Sequence, residues 1–330
     1  MIVIHIVGAM AGNQGQDLLG RLRDLVSKNH IEPYHAIDPT NNKLPEGTVV
    51  CIVGASRGIG RHLRLHCKLI NANVDRMTGA GIARAYAKAG ASGLVLASRG
   101  TSGLETTAKE CQELSSNLKC EIVACDITEA SSVAALASKV KSIFGRLDIA
   151  VVNSGYSGPV VLKLSDVDPE TFKQAIDVNY LGTFHCAKYL IPLLLASPNG
   201  LKNFIATSSA AALIVSGPIA NAQYCVSKAA QLKLMEHVHE EYHGEGLRSY
   251  AVHPGAVKTE MADSAPPEFM AYLVDHPDLC GCFCTWLSKG GEDRTWLCGR
   301  LLSAKWDVAE LEGKRKEVVE QNLLRPTLSL

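Results

Sequence analysis

The chain contains 330 residues, of which 47% are hydrophobic and 20% are charged, and its formal net charge is zero. This composition is typical of a globular protein with a substantial core and excludes a largely disordered chain. The balanced charge gives no electrostatic basis for binding nucleic acid or an anionic membrane surface. No apolar run reaches the roughly 18 residues that a membrane span requires. We therefore expect neither a nucleic-acid partner nor a membrane.

The amino-terminal segment, residues 1–46, precedes the regular pattern of the chain and is expected to form an extended arm. Its first residues are apolar, but they lack the positive charges of a secretory signal, and His5 interrupts them. A cytoplasmic location is therefore expected.

The 11 cysteines are irregularly spaced, and the densest group is Cys280, Cys282 and Cys284. Such a run could bind a metal, but no pair of histidines or cysteines at zinc-finger spacing accompanies it. We expect free thiols in a reducing compartment and no metal.

From residue 47 onward, short apolar runs alternate with helical patterns, which predicts a single domain over 47–330. The runs are apolar on both faces, as in the buried strands of a parallel sheet. Strand–helix alternation of this kind predicts an α/β fold, a Rossmann-type doubly wound parallel sheet. The predicted strands are Val49–Val53, Gly93–Ala97, Glu121–Ala124, Asp148–Val152, Asn203–Ala206 and Arg248–Val252, and the predicted helices are 81–90, 103–117, 130–144, 169–197 and 223–243.

The first predicted strand runs into a glycine-rich turn. Glycines at this point allow a tight turn and let the backbone approach a pyrophosphate at a helix amino terminus. An ordinary glycine turn is the alternative, because the chain contains 28 glycines. The candidate cofactor-binding residues of the turn are Gly54, Ser56, Arg57, Gly58, Ile59 and Gly60.

The end of the second strand bears on the choice of cofactor. An NAD site places a carboxylate there, on the ribose 2′-hydroxyl, whereas this chain has Ser98 and Arg99. Together with Arg57, these side chains suit a 2′-phosphate through charge-assisted hydrogen bonds. The residues therefore favour NADP(H), the alternative being that both arginines are solvated surface charges.

The helix over 223–243 opens with Tyr224-Cys-Val-Ser-Lys228. Residues four apart share a helix face, so the phenol and the ammonium can point into one cleft. A nearby lysine cation favours the phenolate and brings the tyrosine pKa toward neutrality, where the group can exchange a proton. The pair alone proves little, because this spacing also arises by chance.

The order of motifs along residues 48–260 resembles the short-chain dehydrogenase/reductase family. These motifs are the glycine turn, Asp126, Asn153-Ser-Gly, Asn179, Ser208-Ser209, the Tyr224/Lys228 pair and Pro254-Gly255. The resemblance implies an NADP(H)-dependent oxidoreductase that interconverts a carbonyl and an alcohol on a small organic substrate. We also expect a homo-oligomer.

The resemblance also implies roles for single residues. Asp126 would hold the adenine edge, and Asn153 would belong to the element after the fourth strand, which departs from the family at Ser154 and Tyr156. Asn179 would join Lys228 through a water on its backbone. The segment that would bind the nicotinamide carboxamide contains Pro254, Gly255, Val257 and Thr259.

Ser209 would polarise the substrate oxygen, with Ser208 as the substitute. Ser209 lies further from Tyr224 than is usual, which predicts a longer loop between them. Residues of about 260–284 would form a substrate flap. The tail, about 300–330, resembles that of filamentous-fungal members often found in secondary-metabolite pathways.

One segment interrupts the family pattern. Family-like helix sequence follows Gly60 only after residues 61–79, a 19-residue insert. We interpret this insert as a retained intron or a gene-model error, which leaves helix 81–90 without a properly formed anion site. A genuine insertion that continues the helix is the alternative. A catalytically silent NADP-binding or scaffold protein is therefore the second functional hypothesis.

Overall fold

The computed structural model describes residues 22–55, 78–217, 219–258, 270 and 273–326. A parallel sheet of seven strands lies at its centre, in the order β3-β2-β1-β4-β5-β6-β7. This confirms the predicted Rossmann-type fold. The strands are β1 Val49–Val53, β2 Gly93–Ser98, β3 Lys119–Ala124, β4 Ile149–Val152, β5 Asn203–Thr207, β6 Arg248–His253 and β7 Leu301–Ser303.

Helices pack in two layers, with α1, α2 and α7 in contact on one side and α3 to α6 on the other. The predicted helix over 130–144 has the bounds found for α3, whereas the one over 169–197 contains a π-helical turn at Asp177–Leu181. The helices are α1 Thr78–Lys88, α2 Ser102–Leu114, α3 Ala130–Phe144, α4 Pro169–Ile176, α5 Gly182–Ala196, α6 Ala222–Tyr242, α7 Leu279–Ser288, α8 Val308–Gly313 and α9 Arg315–Glu320.

Strand β1 is an interior strand of the sheet, and all five of its residues are buried. It pairs with β2 on one side and β4 on the other, which explains why β-branched residues fill both of its faces. The direction of strand order reverses at β1. The crevice between the carboxyl ends of β1 and β4 is therefore the place where an open α/β sheet binds its ligand.

The short seventh strand lies inside the tail expected over about 300–330. Leu301–Ser303 pairs with β6, and Trp306, just beyond it, is fully buried. This strand was not predicted from the sequence. Three residues are too few to show a strand pattern, and the strand is specified by its neighbour β6 instead.

Helix α7 occupies the last part of the range expected for the substrate flap. The flap was expected to reach residue 284, but α7 begins at Leu279 and all of its residues are buried. Gly81 of α1 and Gly281 of α7 meet, and a Cβ on Gly281 would lie 2.6 Å from the Gly81 carbonyl oxygen. Residues 260–269, the first part of the expected flap, and residues 271 and 272 lie outside the described residues.

Residues 22–46, the described part of the expected arm, pack against the segment that follows β7. The indole of Trp306 donates to the carbonyl oxygen of Leu22, and the hydroxyl of Tyr34 donates to that of Trp306. Asn29 forms a β-bridge with Trp306. The described part of the arm therefore packs against the chain directly after β7.

Three further findings concern the described part of the chain. No helix there has the length and hydropathy needed to cross a membrane. No cluster of three or more His, Cys, Asp or Glu side chains there could hold a metal. The ten cysteines it contains are free thiols, and Cys280, Cys282 and Cys284 are buried in α7.

Candidate active site

The turn after β1 is formed so that only glycine fits at its start. Gly54 has a φ of +87°, and a Cβ there would lie 2.5 Å from the backbone nitrogen of Ser154. Asn153 donates from Nδ2 to the Gly54 carbonyl oxygen at 3.0 Å. The two predicted residues Gly54 and Asn153 therefore meet at the crevice. The other predicted residues of this turn lie outside the described residues: Ser56, Arg57, Gly58, Ile59 and Gly60.

Helix α1 begins at Thr78, three residues before the predicted start, and its second residue lies against the turn. A Cβ on Gly79 would lie 2.1 Å from the carbonyl oxygen of Gly54, so a side chain is excluded. Close packing of helix on strand is the role of the last glycine in such a turn. Gly79 thus occupies the place that was predicted for Gly60.

This placement revises the boundary of the predicted insert. Thr78 and Gly79 were assigned to it, but both belong to α1. Removing residues 60–78 leaves the same sequence as removing 61–79, because a glycine stands at each boundary. Residues 61–77 lie outside the described residues.

At the neighbouring strand ends, the predicted cofactor residues have different surroundings. The hydroxyl of Ser98 donates to the Gly100 carbonyl oxygen at 2.6 Å. Arg99 is exposed and forms no ion pair within the described ranges. After β3, Asp126 accepts hydrogen bonds from the backbone N–H and the hydroxyl of Thr128. The guanidinium of Arg99 is therefore available to an anion.

The proposed acid–base group lies at the start of α6. Asn221 caps this helix by accepting from the backbone N–H of Tyr224 at 3.2 Å. The side chain of Ser209 lies close enough to that of Tyr224 to influence its pKa, and Nζ of Lys228 lies 5.9 Å from the centre of the tyrosine ring. The structure thus brings together the three predicted residues, and it favours Ser209 over Ser208 as the hydroxyl beside the tyrosine.

Burial sets the acid–base properties of this group. It raises the pKa of Tyr224 above its usual value of 10, and the nearby Ser209 side chain opposes this only in part. Burial also lowers the pKa of Lys228 to about 7. The expected lowering of the tyrosine pKa is therefore not found in this arrangement, since desolvation disfavours the phenolate and the ammonium alike.

Lys228 is held by a buried network that reaches Asn179. Nζ donates to the Thr207 carbonyl oxygen at 2.9 Å and to Oε1 of Gln231 at 3.1 Å. Nε2 of Gln231 donates to the hydroxyl of Thr183 at 2.8 Å, and this hydroxyl donates to the Asn179 carbonyl oxygen at 2.7 Å. Two side chains therefore join Asn179 to Lys228.

Gln231 and Thr183 were missed by sequence reasoning, although a signal was present. Gln231 lies three residues after Lys228, so both share a helix face. A fully buried glutamine requires partners for both ends of its amide. The side chain of Asn179 is also occupied, since it bonds to the backbone of Tyr156 and to Ser227. It thereby fixes the segment after β4.

The loop after β6 contains the predicted nicotinamide-binding segment, of which Thr259 lies outside the described residues. Gly255 has a φ of +96°, and Val257 is buried. At the end of β6, burial and the Lys305 cation lower the pKa of His253 to about 4. Nδ1 of this neutral imidazole accepts from the backbone N–H of Ala210 at 3.3 Å. His253 therefore ties this loop to the residue after Ser209.

The comparisons with known proteins agree with this arrangement. A family model described as enoyl-(acyl carrier protein) reductase matches residues 74–278. The short chain dehydrogenase pgmD of Aspergillus terreus is 33% identical over 306 residues, covering 90% of this chain and 91% of that protein. The short chain dehydrogenase citE of Monascus ruber is 34% identical over 308 residues, covering 92% and 96%. The chain belongs to the short-chain dehydrogenase/reductase family, as the resemblance predicted.

Two solved structures extend the comparison. An alcohol dehydrogenase of the archaeon Thermococcus sibiricus, solved with 5-hydroxy-NADP, has a TM-score of 0.61 and 27% identity, covering 78% of this chain and 94% of that chain. A 7α-hydroxysteroid dehydrogenase solved with NADH and 7-oxo glycochenodeoxycholic acid has a TM-score of 0.65 and 23% identity, covering 82% and 96%. The second likeness shows the fold alone. The chain is therefore an oxidoreductase by family.

Proposed function

We propose that this protein is an NADP(H)-dependent oxidoreductase that interconverts a carbonyl and an alcohol on a small organic substrate. The observation that carries the proposal is the joining of Ser209, Tyr224 and Lys228 beside the crevice at the end of β1. We also propose a secondary-metabolite substrate, since the relatives pgmD and citE come from filamentous fungi, together with a cytoplasmic location and a homo-oligomeric state.

The residues of the crevice fit a dinucleotide. Gly54 and Gly255 lie where a side chain would collide with neighbouring atoms, of Ser154 and Asp275 respectively. The hydroxyls of Thr207 and Ser208 are buried and have no hydrogen-bond partner among the described residues. Gly54, Asp126 and Asn153 would hold the adenosine and pyrophosphate end, and the segment from Pro254 to Thr259 the nicotinamide end. A bound nicotinamide would supply or accept the hydride at its C4.

Side chains of the protein transfer the proton that accompanies the hydride. The Tyr224 hydroxyl donates a proton to the substrate oxygen during reduction and takes it back during oxidation. Ser209 donates a hydrogen bond to the same oxygen and stabilises the negative charge that develops there. The Lys228 ammonium supports the tyrosinate that results. Asn179, through Thr183 and Gln231, fixes the position of Lys228.

The preference for NADP(H) rests on Ser98, Arg99 and Arg57, of which Arg57 lies outside the described residues. An exposed guanidinium without an acidic partner suits a 2′-phosphate. We expect NADPH to bind at least about tenfold more tightly than NADH, which corresponds to about 1.4 kcal/mol. Arg99→Ala should weaken NADPH and leave NADH nearly unchanged. Equal affinities in the parent, or a preference for NADH, would contradict this assignment.

The activity is tested on the purified full chain with NADPH and a broad panel of ketones and aldehydes. Loss of absorbance at the nicotinamide band that depends on the carbonyl supports the proposal. Binding of NADPH without turnover on any member of the panel would support the silent NADP-binding protein instead. The interrupted glycine turn favours that second candidate, whereas the assembled Ser209, Tyr224 and Lys228 oppose it.

A further inference from the structure

A buried ion pair lies directly behind the loop that follows β6. Asp275, whose side chain is fully buried, receives Nζ of Lys305 at 2.6 Å on Oδ1 and at 2.8 Å on Oδ2. A buried carboxylate is costly unless a cation and further donors satisfy it. Lys305 contacts both carboxylate oxygens of Asp275, and one of them, Oδ2, also faces the loop.

Asp275 binds the loop backbone in both directions. Its Oδ2 accepts from the backbone N–H of Ala256 at 2.5 Å, and its own N–H donates to the Ala256 carbonyl oxygen at 3.1 Å. A Cβ on Gly255 would lie 2.7 Å from the same Oδ2. The carboxylate therefore fixes the left-handed turn at Gly255 by contact and by hydrogen bonding.

The amino-terminal segment clamps the two sides of this ion pair. The backbone N–H of His30 donates to the Lys305 carbonyl oxygen at 2.6 Å. The next residue, Ile31, accepts at its carbonyl oxygen from the N–H of His276 at 2.7 Å. Two consecutive residues thus join the segment that carries the cation to the segment that carries the carboxylate.

We propose that Asp275 and Lys305, clamped by His30 and Ile31, position the loop over 254–258 against the nicotinamide half of the cofactor. The inference rests on the proposed function, which assigns that loop to the nicotinamide. Asp275 and Lys305 act through the loop and are positioning residues. This gives the segment before β1 a part in cofactor binding, although it lies outside the Rossmann-type sheet.

The experiment compares the whole cofactor with a fragment that lacks the nicotinamide. Dissociation constants of NADPH and adenosine 2′,5′-bisphosphate are measured by calorimetry for the full chain and for Lys305→Met. We expect the variant to bind NADPH about tenfold more weakly and the bisphosphate as the parent does. Lys305→Arg keeps the cation and should restore most of the NADPH affinity. If the parent prefers NADH, the same experiment uses NADH as the whole cofactor and ADP as the fragment that lacks the nicotinamide.

The chain offers a matched control at the opposite end of the sheet. Asp148 is equally buried, pairs with Arg146 at 2.6 Å and accepts from the backbone N–H of Val49. Arg146→Met therefore removes a cation from a comparable carboxylate that lies away from the crevice. It should lower the melting temperature without changing the ratio of the two dissociation constants.

Several outcomes would overturn the inference. One is that Lys305→Met binds NADPH with the affinity of the parent. Another is that this variant loses the same factor of affinity for NADPH and for the bisphosphate. A third is that Arg146→Met changes the ratio of the two dissociation constants as much as Lys305→Met does. If Lys305→Met does not fold, the double variant Asp275→Asn/Lys305→Met is used instead, because it removes both charges and should fold. The dissociation constants of NADPH and the bisphosphate are then measured for the double variant, with the same expected and contradicting results. A parent that binds no nicotinamide cofactor would overturn the proposed function first, and this inference with it.

Discussion

At the scale of single residues, burial governs the chemistry of the site. Tyr224 and Lys228 are both desolvated, so the neutral form of each is favoured. The Ser209 side chain beside Tyr224 and the acceptors around Nζ of Lys228 act against this. Residue identity was sufficient to select these groups, but their protonation depends on what surrounds them.

Tyr224→Phe tests the proton transfer. The substitution keeps the ring and removes the hydroxyl, so we expect turnover to fall by roughly 10²-fold or more. NADPH binding should persist, since the ring remains in place. Steady-state kinetics and calorimetry measure the two quantities. A variant with turnover close to that of the parent would show that another group exchanges the proton.

His253 predicts a dependence of stability on pH. Its pKa is about 4 in the folded chain and about 6.5 in an unfolded one. The unfolded state therefore binds more protons between these values, and the free energy of unfolding decreases as the pH falls from about 6.5 to 4. In His253→Asn, whose amide oxygen can still accept from Ala210, we expect a smaller decrease. Urea unfolding at a series of pH values measures it, and equal slopes for parent and variant would contradict the prediction.

At the scale of elements, the contact between α5 and α6 explains how the lysine is placed. Thr183 lies one turn after Asn179 and Gln231 lies one turn after Lys228, so the two helices meet through these side chains. The π-helical turn at Asp177–Leu181 precedes this contact and carries Asn179. Pairing of polar side chains between helices cannot be read from either helix alone.

Gln231 is tested by two substitutions with opposite effects. Gln231→Leu removes an acceptor from the Lys228 ammonium, so the pKa of Lys228 should fall. In a plot of kcat against pH, the limb that reports the titration of Lys228 should therefore move to lower pH. Gln231→Glu keeps an acceptor and adds a negative charge, which should move that limb to higher pH. If neither substitution moves the profile, Gln231 does not act on Lys228.

At the scale of the whole molecule, the site depends on how the start of α1 joins β1. Backbone N–H groups in the first turn of such a helix bind the pyrophosphate, supported by the helix dipole. Gly79 already packs on Gly54, so a chain that passes directly from Ile59 to Gly79 would give an uninterrupted turn.

Deletion of residues 61–79 tests this junction, and it yields the same protein as deletion of 60–78. We expect the shortened chain to bind NADPH more tightly and to melt at a higher temperature, because the glycine turn then leads straight into α1. Calorimetry and thermal unfolding compare it with the full chain. Weaker binding or loss of folding would mean that the deleted residues are an integral part of the protein.

The fold class and most of the candidate residues follow from the amino-acid sequence alone. Six of the seven strands were predicted, because a continuous run of apolar residues such as Val49–Val53 indicates a buried strand without reference to the rest of the chain. Ser209, Tyr224 and Lys228 were found by motif order, and the structure joins them. These features depend on local patterns or on a spacing that one family shares.

The other features became visible in the folded chain, because they depend on contacts between distant segments. Leu301–Ser303 becomes a strand by pairing with β6, and α7 is buried because α1 covers it. The bonds from His30 and Ile31 to the segments that hold Asp275 and Lys305 join residues more than 240 positions apart in the sequence. The desolvation that raises the pKa of Tyr224 likewise arises only when these segments pack together. None of these contacts leaves a periodic signal in the sequence, since each is a pairing of single residues across the fold.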